Sequence, residues 1–581
     1  MSLTGALYST LAGLQNTEGR ISVLSTNVNN ADTPGYTRKE LESQFTTING
    51  ITGVTKSSIE TVNFDPYLLE SLVQDTSVAS YFDTINQYLS DFSRDQGSVE
   101  GGNSVSAFAA DLMTAIERLS VTPEDSSLKS LVIGEADRLA TEMRRLSRTI
   151  QEYRLLADQG IESAVVEIND ITAKINDLNK RITVDSGLGN STATFEDERR
   201  VELEKLSSLV DVDYFINDNN QLQIYLSGRP LVDNRARVIE YTAVTNLDKN
   251  VLYPGPIGPI DLDGFDITTL LQNGEVAGLV DVRDTLMVEE QAKLDEFANV
   301  LMREMNALLN SGASVPPPTS MEGSLEGLAI GDAIPAPRFG TFRIATTDGN
   351  GFVQNSFDFD LSTIPTVGVL ITQINTNLAG DITASLGTDG QLILTADNAG
   401  EGISIAAQNG VIGPDAVGFS DYFGLNNMFD GTGADDIFLS QYLSDNPELL
   451  ATGRLIGGPL PPSNQGVFVG DSSLASEMQD VFITNYSFNA AGNFAAQTES
   501  LSRYIDKIIG DTSYRANNAA VNRDINQSLL EQTKTSLENL SGVNVDEEMA
   551  NLIDLEAKYE ASATMIATIQ ELFDTLIAAV R

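Results

Sequence analysis

The chain has 581 residues, long enough for three or four domains that each bury a core, and its 41% hydrophobic and 20% charged residues are typical of folded soluble proteins. Its 35 Lys and Arg stand against 82 Asp and Glu, a net charge of −47 that disfavours nucleic acid and anionic membrane as partners. It contains neither cysteine nor histidine, which excludes disulfides, thiolate metal sites, thiol nucleophiles and histidine-based triads or pH switches, and so argues against an enzyme.

The first segment, MSLTGALYSTLAGLQNTEGR, has no basic residue before Arg20 and no continuous apolar block, so it does not read as a cleaved secretory signal. No apolar run approaches the roughly 18 residues of a membrane-spanning helix, and no membrane insertion is expected. Leu7, Leu11, Leu14, Ile21 and Val28, with Glu18 and Ser25 between, alternate four and three apart: a heptad seam on a helix. NNADTPGYTRKE (29–40) then ends it. Pro34 disfavours helix at Thr33, and Pro34-Gly35 fits the central positions of a type II turn, leaving Tyr36 and Arg38 on one face of an extended segment.

Asp65-Pro66 suits the cap and first position of a helix carrying Phe82, Ile85, Leu89 and Phe92. Two further stripes follow, Leu139 to Tyr153 and Ile161 to Ile182. Val212/Tyr214/Ile216 and Leu222/Ile224/Leu226 alternate about NDNN, predicting a hairpin. A helix is expected near 282–310 and another through Val521 and Ile525 to Leu540. Between the proline-rich stretches SGASVPPPTS (311–320) and GGPLPPSNQG (457–466), the pattern is that of an inserted α+β domain, with strands turning at Asp389-Gly390. In the last helix Leu552, Leu555, Tyr559, Ser562, Ile566, Ile569, Phe573 and Leu576 repeat the heptad spacing. Asn544 is positioned to cap it, with Glu547 completing a capping box.

The expected fold is therefore α+β and multidomain, with long terminal coiled-coil helices and a discontinuous helical bundle into which β-rich domains are inserted. Four parts are expected: 1–50 with 545–581 as the paired terminal helices; 51–210, 281–310 and 470–544 as the bundle; 211–280 as a β-rich domain; and 311–469 as the insert. The acidic clusters Asp261/Asp263/Asp266 and Asp430/Asp435/Asp436 lack EF-hand spacing and read as solvated turns. No catalytic constellation, metal site or cofactor is expected.

A heptad helix followed by STNVNNADTPGYTRKE resembles the N-terminal signature of flagellar rod, hook and hook-associated proteins. The form Pro34-Gly35-Tyr36-Thr37-Arg38 most resembles the hook-associated protein 1 family, FlgK, and SGVNVDEEMANLIDLEAKYEASATMIATIQELFDTLI (541–577) is similar to that family's C-terminal signature. Residues 357–405 look like the small β-rich module of flagellins and their relatives. The resemblance implies a structural subunit at the hook–filament junction, exported by the flagellar type III apparatus without signal cleavage. It implies self-assembly in a ring or helical layer through the paired ends, hook protein below and hook-associated protein 3 above, and a cytoplasmic chaperone at the C-terminal segment. The subunit interface implied comprises the N-terminal seam with Pro34, Gly35, Tyr36 and Arg38, the last two aimed at a neighbouring subunit, and Leu552, Leu555, Tyr559, Ile566, Ile569, Phe573 and Leu576. The alternatives are another axial protein (hook-associated protein 3 or hook protein) and a secreted surface-binding protein or enzyme using flagellar export; the latter requires a chemical constellation within 321–456, and none is visible.

Overall fold

The computed structural model describes residues 3–48, 51–61, 65–98, 101–458 and 460–580; the expected boundary at residue 50 lies outside them. The chain divides into two compact units: 1–88, 154–284 and 516–581 form one, and 89–153 with 285–515 form the other.

In chain order, helix α1 (Leu3–Asn29) is followed by β1 (Lys39–Ile48) and β2 (Ile51–Thr61), an antiparallel hairpin where the sequence suggested bundle from residue 51. Helix α2 (Pro66–Gln96) starts at the predicted cap: Asp65 Oδ1 accepts from the Tyr67 and Leu68 N–H groups at 2.9 and 3.4 Å. After α3 (Val105–Val121) comes α4 (Ser126–Leu188), a single 63-residue helix that contains both predicted stripes. The stripes look separate because Arg154 and Asp158, 1% and 0% exposed, take inward positions between them. Arg283 satisfies Asp158 at 2.8 Å, and Arg154 donates to the carbonyls of Arg283, Asp248 and Val251. A buried charge needs such partners, and an apolar-periodicity reading cannot see them.

Helix α5 (Ala193–Leu209) leads into the predicted hairpin, β3 (Val212–Ile216) and β4 (Leu222–Leu226), paired Val212↔Leu226 to Ile216↔Leu222 and extended by β5 (Arg229–Val232). Helix α6 (Glu275–Asp281) and a π-helical turn, Val282–Leu286, precede α7 (Met287–Asn310), so helix begins earlier than expected. Within the second unit, residues 320–455 contain α8 (Val367–Asn377), α9 (Phe419–Phe423) and α10 (Gln441–Asp445). Two three-stranded sheets accompany them, Val353–Asp360/Thr341–Asp348/Glu401–Ala406 and Ile382–Leu386/Leu392–Ala396/Ser320–Glu322. This region has its own core, centred on Phe342, Phe359, Phe419 and Phe423, with Phe342 and Phe419 stacked at 3.9 Å between ring centroids. The segments on either side of it meet: the Ala313 N–H donates to the Gly453 carbonyl at 2.8 Å. Helices α11 (Ser473–Ile483), α12 (Leu501–Ser541) and α13 (Val545–Val580) complete the chain.

One device recurs at five places where a helix meets a strand. A helix-borne asparagine clamps both backbone groups of one strand residue, its amide N–H donating to the carbonyl and its oxygen accepting from the N–H. The pairs are Asn27 with Lys39, Asn169 with Ile239, Asn179 with Leu222, Asn306 with Phe429 and Asn375 with Ala384. Each pair reproduces the two hydrogen bonds of a ladder step, which requires a side chain that both donates and accepts. The expected acidic clusters are used locally: Asp261 and Asp436 accept backbone N–H groups within their turns, and Asp263 pairs with Arg235 at 3.7 Å. Among the described residues no group of acidic side chains is placed to hold a metal, and no helix is long and apolar enough to cross a membrane.

Replacing Asn179 with Leu tests the clamp. The change strands the Leu222 N–H and C=O and one Arg199 donor, at about 1–3 kcal/mol for each buried group left unsatisfied. Amide exchange across Leu222–Leu226 should accelerate, while exchange in the insert around Phe342 stays unchanged.

Candidate assembly interface at the paired chain ends

The two ends of the chain meet in the first unit, where α1 packs against α13 and against the β1–β2 hairpin. Between α1 and β1 the predicted turn forms: the Tyr36 N–H donates to the Thr33 carbonyl at 3.1 Å, and Gly35 sits at φ +74°. A Cβ at Gly35 would come within 2.2 Å of Val201 Cγ2 on α5, so close approach and conformation both require glycine.

The turn delivers three consecutive residues to three different elements. Thr37 Oγ1 and Lys39 Nζ reach Asp197 on α5 at 2.7 and 2.8 Å, and Arg200, beside Asp197, also donates to the Gly35 carbonyl at 3.0 Å. Tyr36 OH donates to Asn27 Oδ1 at 2.9 Å, and the Lys39 ammonium lies over the Tyr36 ring, 3.8 Å from its centroid. Arg38 bonds Glu548 at 2.6 Å and lies 3.5 Å from Glu547, while its backbone N–H donates to the last carbonyl of α12, that of Ser541. Asn27 Nδ2 donates to Glu548 Oε2 at 3.2 Å as well as to Lys39 O. Burial and the charges of Asp197 and Glu548 push the Tyr36 phenol up to about 12, so it remains a donor through the physiological range. Burial works against the Arg38 charge, yet the hydrogen bond and charge of Glu548 outweigh it and hold the guanidinium above its usual range.

Tyr36 and Arg38 are therefore engaged within the chain rather than aimed outward as the sequence suggested; Pro34, by contrast, is exposed. The capping box is also altered. Asn544 Oδ1 accepts from the Asp546 and Glu547 N–H groups at 3.1 and 3.3 Å, but the Glu547 carboxylate turns to Arg38. Asp546, Glu547 and Glu548 all lie in the first turn of α13, where the helix dipole favours negative charge.

On α13 the structure leaves Leu552, Leu555, Ile566, Ile569 and Phe573 half-buried, as is Ser562 in the same line, and Tyr559 and Leu576 39% and 54% exposed. On α1 the expected seam is not the covered one. Leu7, Leu14, Ile21 and Val28 are only half-buried and Leu11 is 41% exposed. The buried residues of α1 are Gly5, Ala12, Thr17, Val23, Leu24 and Asn27, and of these Gly5, Ala12, Val23 and Asn27 lie, at about 3.6 residues per turn, across the helix from Leu7, Leu11 and Leu14. Small residues let the hairpin approach: Leu41 Cδ2 stands 2.8 Å from where a Gly19 Cβ would lie, and Ser43 Oγ bonds Asn16 at 2.6 Å. Further apolar residues remain outward, Tyr8 on α1 and Ile553, Met565, Leu572 and Ile577 on α13.

Asn27, Thr37, Lys39, Asp197 and Glu548 were not singled out from the sequence. One signal was present for Glu548: the α13 seam extends one step upstream, from Leu552 back by four residues, onto it.

Gly35→Ala should destabilise the first unit by about 1–2 kcal/mol from the left-handed backbone alone, plus a steric part from the overlap with Val201. Adding Val201→Ala should recover the steric part and leave the conformational part. Denaturation curves of both variants, read from a probe in the first unit, separate the two.

Comparison with known proteins bears on all of these elements. A model of the flagellar hook-associated protein FlgK helical domain matches residues 95–319, one of the flagella basal body rod protein matches 7–37, and one of the flagellar basal body rod FlgEFG protein C-terminal region matches 537–579. Flagellar hook-associated protein 1 of Salmonella typhimurium is 20% identical over 99% of this chain and 100% of its own length, and that of Escherichia coli is 21% identical with the same coverage. The solved flagellar hook junction protein FlgK of Burkholderia pseudomallei shares the fold with a TM-score of 0.50 and 14% identity, over 80% of this chain and 99% of that one. Along nearly its whole length the chain is thus similar to flagellar hook-associated protein 1, and its residues 95–319 match the FlgK helical domain, the likeness of a structural component of the flagellar axis.

Proposed function

We propose that this chain is the subunit that joins hook to filament, with hook protein below it and hook-associated protein 3 above. It leaves the cell through the flagellar type III apparatus without loss of a signal segment, and a cytoplasmic chaperone holds its C-terminal segment beforehand. The observation that carries this reading is the end-to-end match to hook-associated protein 1 from two bacteria, joined to a terminal helix pair whose apolar residues are not used up within the chain. Apolar surface left on a long helix pair marks an interaction site.

In this proposal the interface comprises Leu7, Leu11, Leu14, Ile21 and Val28 on α1 and Leu552, Leu555, Tyr559, Ile566, Ile569, Phe573 and Leu576 on α13. Pro34 lies at the exposed turn, and Gly35, Tyr36 and Arg38 contribute by fixing the frame on which the two helices sit. Residues 1–50 with 545–581 line the inner layer of the assembly, and 311–469 form an outward module. Helices of this length with one half-covered face have little stability alone and take most of it from packing. We expect residues 3–45 and 545–580 to be cleaved by limited proteolysis in the soluble chain and protected after assembly.

Cells lacking the gene should bear bare hooks and release unpolymerised flagellin; normal filaments on such cells would overturn the proposal. Leu572→Asp, at a position 51% exposed in the isolated chain, should leave its melting unchanged and reduce incorporation at the junction at least tenfold by antibody labelling. Wild-type labelling of the L572D variant at the hook–filament boundary would exclude α13 as an assembly surface.

A further inference from the structure

Helix α13 runs from Val545 to Val580, and among its described side chains Glu548 alone is buried, at 2% exposure. That residue is an acid. It stands on the same line as the apolar seam: 548, 552, 555, 559, 562, 566, 569 and 573 alternate four and three apart. Its contact on α1 is Asn27, 1% exposed, which also lies on the covered stripe of that helix.

An apolar heptad seam holds two helices together without saying where one stops against the other. Hydrophobic attraction is non-directional, and a slip of one heptad, about 10 Å at 1.5 Å per residue, returns a similar set of residues to the same face. A buried polar residue in such a seam is different, because it is satisfied in only one alignment. Here Glu548 accepts from Asn27 Nδ2 and Arg38 Nε. Asn27 is itself fixed by the N–H and C=O of Lys39 and by Tyr36 OH, so it cannot follow a sliding partner.

We propose that Glu548 is the positioning residue of the terminal helix pair: with Asn27 and Arg38 it selects the axial register of α13 on α1. On the reading that the pair is an assembly surface, that register decides where Ile553, Met565 and Leu572 are presented to a neighbouring copy.

The chain has no cysteine, so labels at Ser22→Cys on α1 and Glu560→Cys on α13 are the only thiols in the full-length protein. Spin-label distances in the soluble chain should give one narrow population. Glu548→Leu, which makes the seam apolar, should add at least one population displaced by about 10 Å while the melting temperature does not fall. Glu548→Gln, which keeps an acceptor for Arg38, should retain the native distance. Persistence of the single native distance in E548L would overturn the proposal, since the apolar contacts would then set the register. Loss of any defined distance in E548L would also overturn it, because Glu548 would be holding the pair together rather than aligning it. This register is read on the isolated chain and does not depend on where the protein acts; antibody labelling at the junction reports the assembly reading separately. If both readings hold, E548L loses incorporation; if the distances change but labelling does not, only the assembly consequence fails.

Discussion

The terminal region depends on how a buried carboxylate is kept satisfied. Glu548 is almost wholly withdrawn from water, and a carboxylate in that position must find donors or lose its charge. Its donors, Asn27 and Arg38, lie more than five hundred residues earlier in the chain and on opposite sides of the turn. Neither is in place unless the turn closes. Gly35 must adopt its left-handed conformation against Val201, Thr37 and Lys39 must dock on Asp197, and Lys39 must offer its backbone to Asn27. A motif that reads as simple helix punctuation is thus the place where α1, β1, α5, α12 and α13 are tied to one another. Its polar residues are satisfied by one another, and little of it is left over for a partner.

The same economy appears elsewhere in the chain. An all-helical bundle has no free backbone groups along its flanks, whereas a strand laid beside a helix leaves N–H and C=O groups facing a surface that cannot complete a ladder. The asparagine clamps resolve that mismatch at five helix–strand contacts, and Asn27 is one of them. The clamp on Lys39 also bonds a second helix, α13, through Glu548, as the Asn179 clamp bonds α5 through Arg199. Attachment of the first strand and alignment of the last helix are therefore properties of one side chain, so a change that frees one loosens the other.

Much of the fold was legible because it rests on period and punctuation. The β3–β4 register, the Asp65 cap and the single long helix α13 all follow from alternation, spacing or turn chemistry. What was missed shares a cause. Strand β2 lies in a stretch, ITGVTKSSIET, whose alternation is weak, and it is stabilised by its pairing with β1. The continuity of α4 is hidden by Arg154 and Asp158, charges that are inward only because Arg283 and backbone carbonyls meet them. The covered side of α1 carries Gly5, Ala12 and Asn27 beside Val23, and a heptad reading that starts from Leu7, Leu11 and Leu14 selects the other side. Polar residues fixed by distant partners carry no local signal. In the terminal region those residues make up most of the frame, while the apolar seams that the sequence displays lie mainly half-covered.

The distribution of charge along the two helices supports this division of labour. Helix α1 carries only Glu18 and Arg20, whereas α13 carries acids at 546, 547, 548, 554, 556, 560, 571 and 574 and one base, Lys558. Between Glu560 and Glu571 it has no charge at all, and this stretch includes Met565, Ile566 and Ile569. Copies brought together there place no acids face to face, while the acids on either side repel over about 8–10 Å in physiological salt. The repulsion keeps an apolar-faced subunit with a net charge of −47 dispersed before it assembles, and it disfavours packings that overlay the charged ends. The uncharged window is useful only if it is presented at a fixed height on α1. Apolar contacts alone leave that height undetermined, and the one residue of α13 that is buried and satisfied in a single alignment is Glu548.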